Sequence, residues 1–132
     1  MKYERFIGLV QHRAKLPTTE DAVTAIRTTL ETLAEKLSAD EVKDLGSQLP
    51  REIRRFLTLS TNNQQGFHLA EFFSRVAERE CRPISEATYH ARVVIEVLTE
   101  AVSAGEIGDV RRQLPADFAP LFDAGSTGPL FG

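Results

Sequence analysis

The chain contains one sequence pattern twice. Residues 27–50 and 92–115 align without gaps at a constant spacing of 65 positions. The identical pairs are Arg27/Arg92, Glu31/Glu96, Leu33/Leu98, Glu35/Glu100, Ser38/Ser103, Ala39/Ala104, Glu41/Glu106, Asp44/Asp109, Gln48/Gln113, Leu49/Leu114 and Pro50/Pro115. After a slip of one residue the match extends upstream, where Phe6 aligns with Phe72 and Arg13 with Arg79. A repeat of this kind indicates two copies of one supersecondary unit.

Each unit is predicted to form four helices. Apolar residues recur at helical spacing from Tyr3 to Arg13, and Pro17 ends this first helix. A second helix begins near Thr18 or Thr19 in the first unit and near Ser85 in the second, where the side chain is expected to cap free amides.

The third and fourth helices have the sharpest predicted boundaries. Ser38 to Glu41 and Ser103 to Glu106 match the capping box. In this motif the Ser hydroxyl accepts a hydrogen bond from the Glu amide, and the Glu carboxylate accepts one from the Ser amide. Pro50 then favours the first position of a short fourth helix, because its missing amide hydrogen is not needed there.

The pattern predicts an all-α fold in which two tandem four-helix units pack with pseudo-twofold symmetry into one bundle. The units span residues 3–57 and 67–122 and are joined by a polar linker at 58–66. One compact domain is therefore expected at 1–122, followed by a flexible tail at 123–132.

The repeated motifs resemble a bacterial family known as domain of unknown function 2267. They are the Phe6-to-Arg13 opening, the Leu30-to-Ser38 run and the Glu41-to-Pro50 segment, together with their second copies. The resemblance covers about residues 1–122 and departs at Arg75, which stands where the first unit has Leu9. It implies an all-helical two-repeat fold, and it implies no reaction and no catalytic residues.

Composition limits the classes of function. The net charge is −3, with acidic and basic residues interleaved, so nucleic-acid binding through Arg51, Arg54 and Arg55 is the weaker interpretation of that basic cluster. Without a secretory leader, a long apolar run or a second cysteine beside Cys81, the sequence predicts a cytoplasmic protein without a membrane span.

No catalytic or metal-binding constellation is predicted, and no cofactor. The three histidines, at positions 12, 68 and 90, lack the Glu-x-x-His spacing of di-iron bundles and are expected at the surface or its boundary. Cys81 aligns with Lys15 and is interpreted as a bystander thiol. Capping explains Glu41 and Glu106, and divalent-cation binding by the repeated acidic residues is the weaker alternative.

Two further features allow a functional interpretation. Gln48 and Gln113 are expected to satisfy free carbonyls at the turn before the fourth helix, with a repeated recognition surface as the alternative. Leu130 and Phe131 near the end of the tail are either disordered or a short docking peptide.

These observations favour a non-enzymatic protein–protein interaction module. The partner is expected to be another protein or a second copy of this chain. The candidate interaction residues are Gln48, Arg51, Arg54, Arg55, Gln113, Leu130 and Phe131. The alternative is a small-ligand or lipid-binding bundle with a Phe-lined pocket between the units.

Overall fold

The computed structural model describes residues 1–58 and 66–130, and the regular structure in these ranges is helical. The helices are α1 (Tyr3–Arg13), α2 (Thr19–Ala34), α3 (Ala39–Ser47), α4 (Arg51–Thr58), α5 (Leu69–Glu80), α6 (Ile84–Ala101), α7 (Ala104–Arg112) and α8 (Ala119–Asp123), with a 3-10 turn at Ala116–Phe118 before α8. The all-α prediction is confirmed. Most of the predicted linker, residues 59–65, and the candidate Phe131 lie outside the described residues.

Two predicted helix starts differ from the structure. α6 begins at Ile84 directly after Pro83, so Ser85 lies inside the first turn and makes no cap. The predicted fourth helix of the second unit is divided into a 3-10 turn and α8, because Pro120 lacks an amide hydrogen and sits in the first turn of α8. The Thr18 cap is confirmed, since its Oγ1 accepts from the Asp21 amide at 3.1 Å.

Residues of both units form one continuous hydrophobic core. α2 packs against α4, α5 and α6, while α1 packs against α2 and α6, and α3 contacts α7. α6 carries the most apolar run, in which residues 93–95, 97 and 98 are fully buried. The described chain contains no helix that is both long and apolar enough to span a bilayer.

Two ion pairs join the units in a reciprocal way. Arg13 of α1 binds Glu100 of α6, with N–O distances of 2.6 and 2.9 Å. The aligned Arg79 of α5 binds Glu35, the residue that follows α2, at 2.5 Å. Each Arg therefore pairs with the repeated Glu of the other unit, which favours the predicted pseudo-twofold arrangement; the symmetry as a whole stays a prediction.

Arg75, the position at which the second unit departs from the repeat, forms a further ion pair with Glu35. Its guanidinium lies 2.9 Å from Glu35 and 2.5 Å from Glu71. It also covers the Phe67 ring, with 3.9 Å between the Cζ atom and the ring centroid. An apolar Leu at this position, as in the first unit, would leave the buried Glu35 carboxylate with one cation fewer.

The repeat also explains where Cys81 lies. Cys81 and the aligned Lys15 both have left-handed backbones, with φ of 58° and 56°, directly after the first helix of their units. In each unit the amide of the following residue donates a hydrogen bond to a carbonyl of the helix. Arg82 N donates to Ala77 O at 3.2 Å, and Leu16 N donates to Gln11 O at 2.9 Å. The position is therefore a helix C-terminal turn, for which no thiol is required.

The four-residue spacing predicts two intrahelical ion pairs, Arg27 with Glu31 and Arg92 with Glu96, and the second is not among the ion pairs of the described residues. Arg27 and Glu31 are 3.6 Å apart, as expected. Arg92 instead donates to the carbonyls of Gly125, at 3.0 Å, and Gly128, so its guanidinium holds the tail against α6. Leu130 packs partly buried against the core in the same segment. The domain bounds and the flexibility of the tail stay predictions.

Candidate functional site

The N-termini of α3 and α7 meet at a contact between the two units. Each helix begins after a repeated serine, Ser38 or Ser103. The Oγ atom of each serine accepts from the amide of the Glu three residues ahead, at 3.2 Å in both cases. This half of the predicted capping box is confirmed.

The repeated glutamines complete these caps from the opposite unit. Gln113 Oε1 accepts from the Ser38 amide at 2.8 Å, and its Nε2 donates to Ser38 Oγ at 3.1 Å. Gln48 Oε1 accepts from the Ser103 amide at 2.7 Å, and its Nε2 donates to Ser103 Oγ at 3.2 Å. The expected partners were carbonyls of the glutamine's own turn; the actual partners are the amide and hydroxyl of a distant serine.

The other half of the capping box is therefore absent. The Ser38 and Ser103 amides donate to the glutamines, so the Glu41 and Glu106 carboxylates do not accept hydrogen bonds from them. The two carboxylates instead form a cluster with Asp109, in which one oxygen of each residue lies within 4.8 Å of the others. We call Glu41, Glu106 and Asp109 the acidic contact.

The acidic contact places like charges together in a buried environment. Glu41 and Glu106 are each only 7% exposed, and the Oε2 atom of each lacks a hydrogen-bond partner in the described structure. Burial, a hydrogen bond to Glu41 and the charges of Glu41 and Asp44 raise the pKa of Glu106 to about 7.

The ligand chemistry of the acidic contact is narrow. It offers carboxylate oxygens, and it contains neither histidine nor cysteine. Two close carboxylates can share a proton, or they can bind a cation that prefers oxygen ligands. The sequence expectation of no metal site was based on capping for both glutamates, and capping does not occupy their side chains here.

The three arginines of the predicted cluster are all exposed, but they differ in what they bind. Arg54 folds back onto the end of α3, where Nε donates to Gly46 O at 2.8 Å and Nη2 to Leu49 O at 3.0 Å. Arg51 and Arg55 are exposed, and Arg55 lies over the Phe56 ring at 5.1 Å. The Arg54 side chain therefore closes the C-terminal end of α3.

A groove runs between α3 and α4, with a cavity volume of about 410 Å³. Its lining residues are Ala39, Val42, Lys43, Gly46, Ser47, Arg54 and Thr58. We call it the α3–α4 groove. It carries two cations and no carboxylate, in a chain whose net charge is −3.

A related groove of about 360 Å³ lies on the second unit. Its lining residues are Thr99, Ala104, Ile107, Gly108, Arg111 and Phe122. Four of these positions align with lining positions of the α3–α4 groove, and again no carboxylate is among them. Arg111 is engaged there by Asp123, at 2.8 and 3.0 Å.

Two further chemistry-bearing side chains, His90 and Cys81, have contacts within the fold. His90 is buried rather than at the surface, and its Nδ1 lies 2.6 Å from Glu80 Oε2. This pair connects α5 to α6. Cys81 is exposed, and its Sγ contacts only the Glu78 carbonyl, at 3.6 Å, among the described hydrogen bonds.

A signal for the acidic contact was present in the sequence. Ser38, Glu41 and Gln48 each recur at the same spacing in the second unit. A capping box explains the serine and the glutamate but not why a glutamine repeats with them. The conserved spacing between the two copies within this chain was therefore the indication that the three side chains act across the contact.

Comparisons with known proteins give a family but no activity. A search of curated proteins found no match. A family model described as "Uncharacterized conserved protein (DUF2267)" matches residues 3–121, which include both units and the whole acidic contact. This chain therefore belongs to the DUF2267 family.

Proposed function

We propose that this protein is a non-enzymatic interaction module that binds an acidic, amphipathic segment of another protein in the α3–α4 groove. The observation that carries the proposal is the lining of this groove, with an apolar floor, two cations and no carboxylate. Complementary charge orients the partner and raises its association rate, while apolar anchors supply most of the affinity.

The size of the groove supports a helical partner. α3 has nine residues and α4 has eight, so each is about 12–14 Å long at 1.5 Å per residue. That length matches about two turns of a bound helix, which is enough for anchors at i, i+3 and i+4. Val42 lies on the floor and Lys43 on the exposed rim, so apolar and charged contacts are side by side.

Packing weakens the case for a small-ligand or lipid pocket between the units. The Phe side chains proposed to line it are at most 6% exposed, except for Phe122. They make core contacts such as the edge-to-face pairs of Phe72 with Phe73 and with Phe118, both at 5.6 Å. Most of these rings are therefore engaged in the core, although Phe118 and Phe122 also line a cavity of about 240 Å³ within the second unit.

The alternatives of nucleic-acid binding and catalysis also have less support. Glu52 stands between the exposed Arg51 and Arg55, and the net charge of the chain is −3. Arg82 beside Cys81 binds Asp21 at 3.3 Å, so its charge is directed away from the thiol. A cytoplasmic location and a second copy as partner stay predictions.

The test is site-specific photocrosslinking of the full chain in its native cells. A photoreactive residue replaces Ser47, an exposed residue that lines the groove. The matched control replaces Ser74, an exposed serine on α5. Mass spectrometry of the crosslinked products is expected to identify one partner segment, rich in acidic and apolar residues, from position 47 and not from position 74.

A charge reversal tests the chemistry of the contact. Lys43→Glu adds a carboxylate to the groove rim, so it is expected to remove the crosslink, and Lys2→Glu is the control with the same charge change at another exposed position. Equal crosslinking from both serine positions, or a crosslink that survives Lys43→Glu unchanged, would count against the groove as the binding surface.

A further inference from the structure

The acidic contact has more buried negative charge than its neighbours balance. The cations on α3 and α7 are Lys43, Arg111 and Arg112. Arg111 binds Asp123, and Arg112 binds Asp109, the most exposed member of the contact. Within the described chain, no ion pair reaches the carboxylate of either buried glutamate. A buried carboxylate without a partner is costly, so the arrangement calls for a further positive charge.

The orphaned oxygens point to where that charge belongs. Glu41 Oε2 and Glu106 Oε2 are fully enclosed and accept from no donor group among the described residues. The hydrogen bond between the two carboxyl groups can therefore form only when one of them carries a proton. Both side chains are more than nine-tenths buried. The reciprocal glutamines occupy the serine amides, so those amides are not available to the two carboxylates. One oxygen of each glutamate lies within 4.8 Å of an oxygen of the other and of an Asp109 oxygen.

The spacing of these oxygens matches a hard divalent ion. One oxygen from each of the three carboxylates lies within 4.8 Å of the other two. Oxygens that bind one Ca²⁺ ion at about 2.3–2.6 Å can be at most about 5 Å apart, so these three fall within the range that a single ion spans. Ca²⁺ accepts irregular sets of carboxylate and water ligands, whereas Mg²⁺ demands near-ideal octahedral geometry and keeps several of its waters.

We propose that Glu41, Glu106 and Asp109 bind one divalent cation of the Ca²⁺ class, which joins α3 of the first unit to α7 of the second. The exposed Asp44, which repeats Asp109 in the first unit, lies on the same side of α3 as Glu41 and adds negative charge. Water completes the coordination on the side where Asp109 reaches solvent. This site is separate from the α3–α4 groove and does not depend on the proposed function.

The experiment is a calorimetric titration of the full chain with CaCl₂ after dialysis against chelator, with MgCl₂ and MnCl₂ as parallel titrants. Glu41→Gln and Glu106→Gln each remove one charged ligand and keep its shape. Glu78→Gln removes the same charge from an exposed position on α5 and is the matched control. The wild type and the control are expected to bind one equivalent of Ca²⁺, and each ligand variant at least tenfold more weakly.

A loss of binding must be separated from a loss of folding. Both ligand variants relieve repulsion in the cation-free protein, so they are expected to retain cooperative thermal unfolding. A variant that stays folded and has lost Ca²⁺ binding supports the proposal. Failure of the wild type to bind any of the three ions at millimolar concentration would overturn the proposal. Ca²⁺ binding by Glu41→Gln and Glu106→Gln that is as tight as binding by the wild type would also overturn it.

Discussion

Replacing Glu106 by Gln is expected to stabilise the metal-free protein, and to do so more strongly as the pH rises. Glu106 is buried beside Glu41, and burial together with this neighbour raises its pKa to about 7. A glutamine of the same shape carries no charge at any pH, and its amide can donate to the Glu41 carboxylate. The substitution therefore removes the repulsion without opening a cavity.

The size of the effect follows from the difference in pKa between the folded and unfolded states. The folded value is about 7 and the ordinary value is 4.5, and one pKa unit corresponds to about 1.4 kcal/mol. Because the folded state holds the proton more tightly, the stabilising contribution is complete below pH 4.5 and is lost as the pH rises through 7. The full loss is on the order of 3 kcal/mol.

The assay is urea unfolding of wild type and Glu106→Gln between pH 5 and pH 8 in the presence of chelator. With a slope of about 1.5 kcal/mol per M urea, a difference of 3 kcal/mol corresponds to about 2 M in the midpoint. The midpoint of Glu106→Gln is therefore expected to move above that of the wild type by up to about 2 M as the pH rises. Subtracting the two profiles removes the titration of groups that both proteins share.

Glu78→Gln is the control, since it removes an exposed carboxylate and should follow the wild-type pH profile. Parallel profiles of wild type and Glu106→Gln over the whole pH range would refute the reasoning. That result would mean that Glu106 ionises in the folded protein at little cost, and that the acidic contact is better solvated or better paired than its geometry indicates.

Three further changes test other contacts, each by urea unfolding at pH 7. Gln113→Ala removes two hydrogen bonds to Ser38 and is expected to cost about 1–2 kcal/mol, whereas a neutral result would show that water replaces the glutamine. Glu80→Gln weakens the buried bond to His90 and is expected to cost about 1–3 kcal/mol; no change would mean that the pair adds nothing to stability. Cys81→Gly relieves a left-handed backbone and is expected to add up to about 1 kcal/mol, and a loss would show that the thiol packs usefully.

Local sequence signals predicted the helices because their causes are local. The expected first helix, Tyr3 to Arg13, has the observed bounds. The third helices begin after the serines of the two capping boxes, and α4 begins directly after Pro50. A cap, a proline and an apolar period each act over a few residues, so one sequence is enough to read them.

The candidate site could not be predicted in the same way, because its partners are distant in sequence. Ser38 and Gln113 are 75 residues apart, and the local pattern already offered Glu41 as an acceptor for the Ser38 amide. Only the packing of α3 on α7 brings the glutamine within reach and leaves the glutamate without its local partner. The sequence could suggest both acceptors, but the three-dimensional contact decides between them.

The repeat itself explains why this contact differs from the others between the units. Where different positions meet, duplication yields complementary pairs twice, as with Arg13 and Glu100 and with Arg79 and Glu35. Where a position meets its own copy, duplication can only place like against like, as with Glu41 and Glu106. One substitution in either copy would remove this repulsion, yet both glutamates are present in a chain where Arg75 has diverged from Leu9. A third component that both carboxylates bind, a proton or a divalent cation, resolves the repulsion and makes the contact responsive to its surroundings.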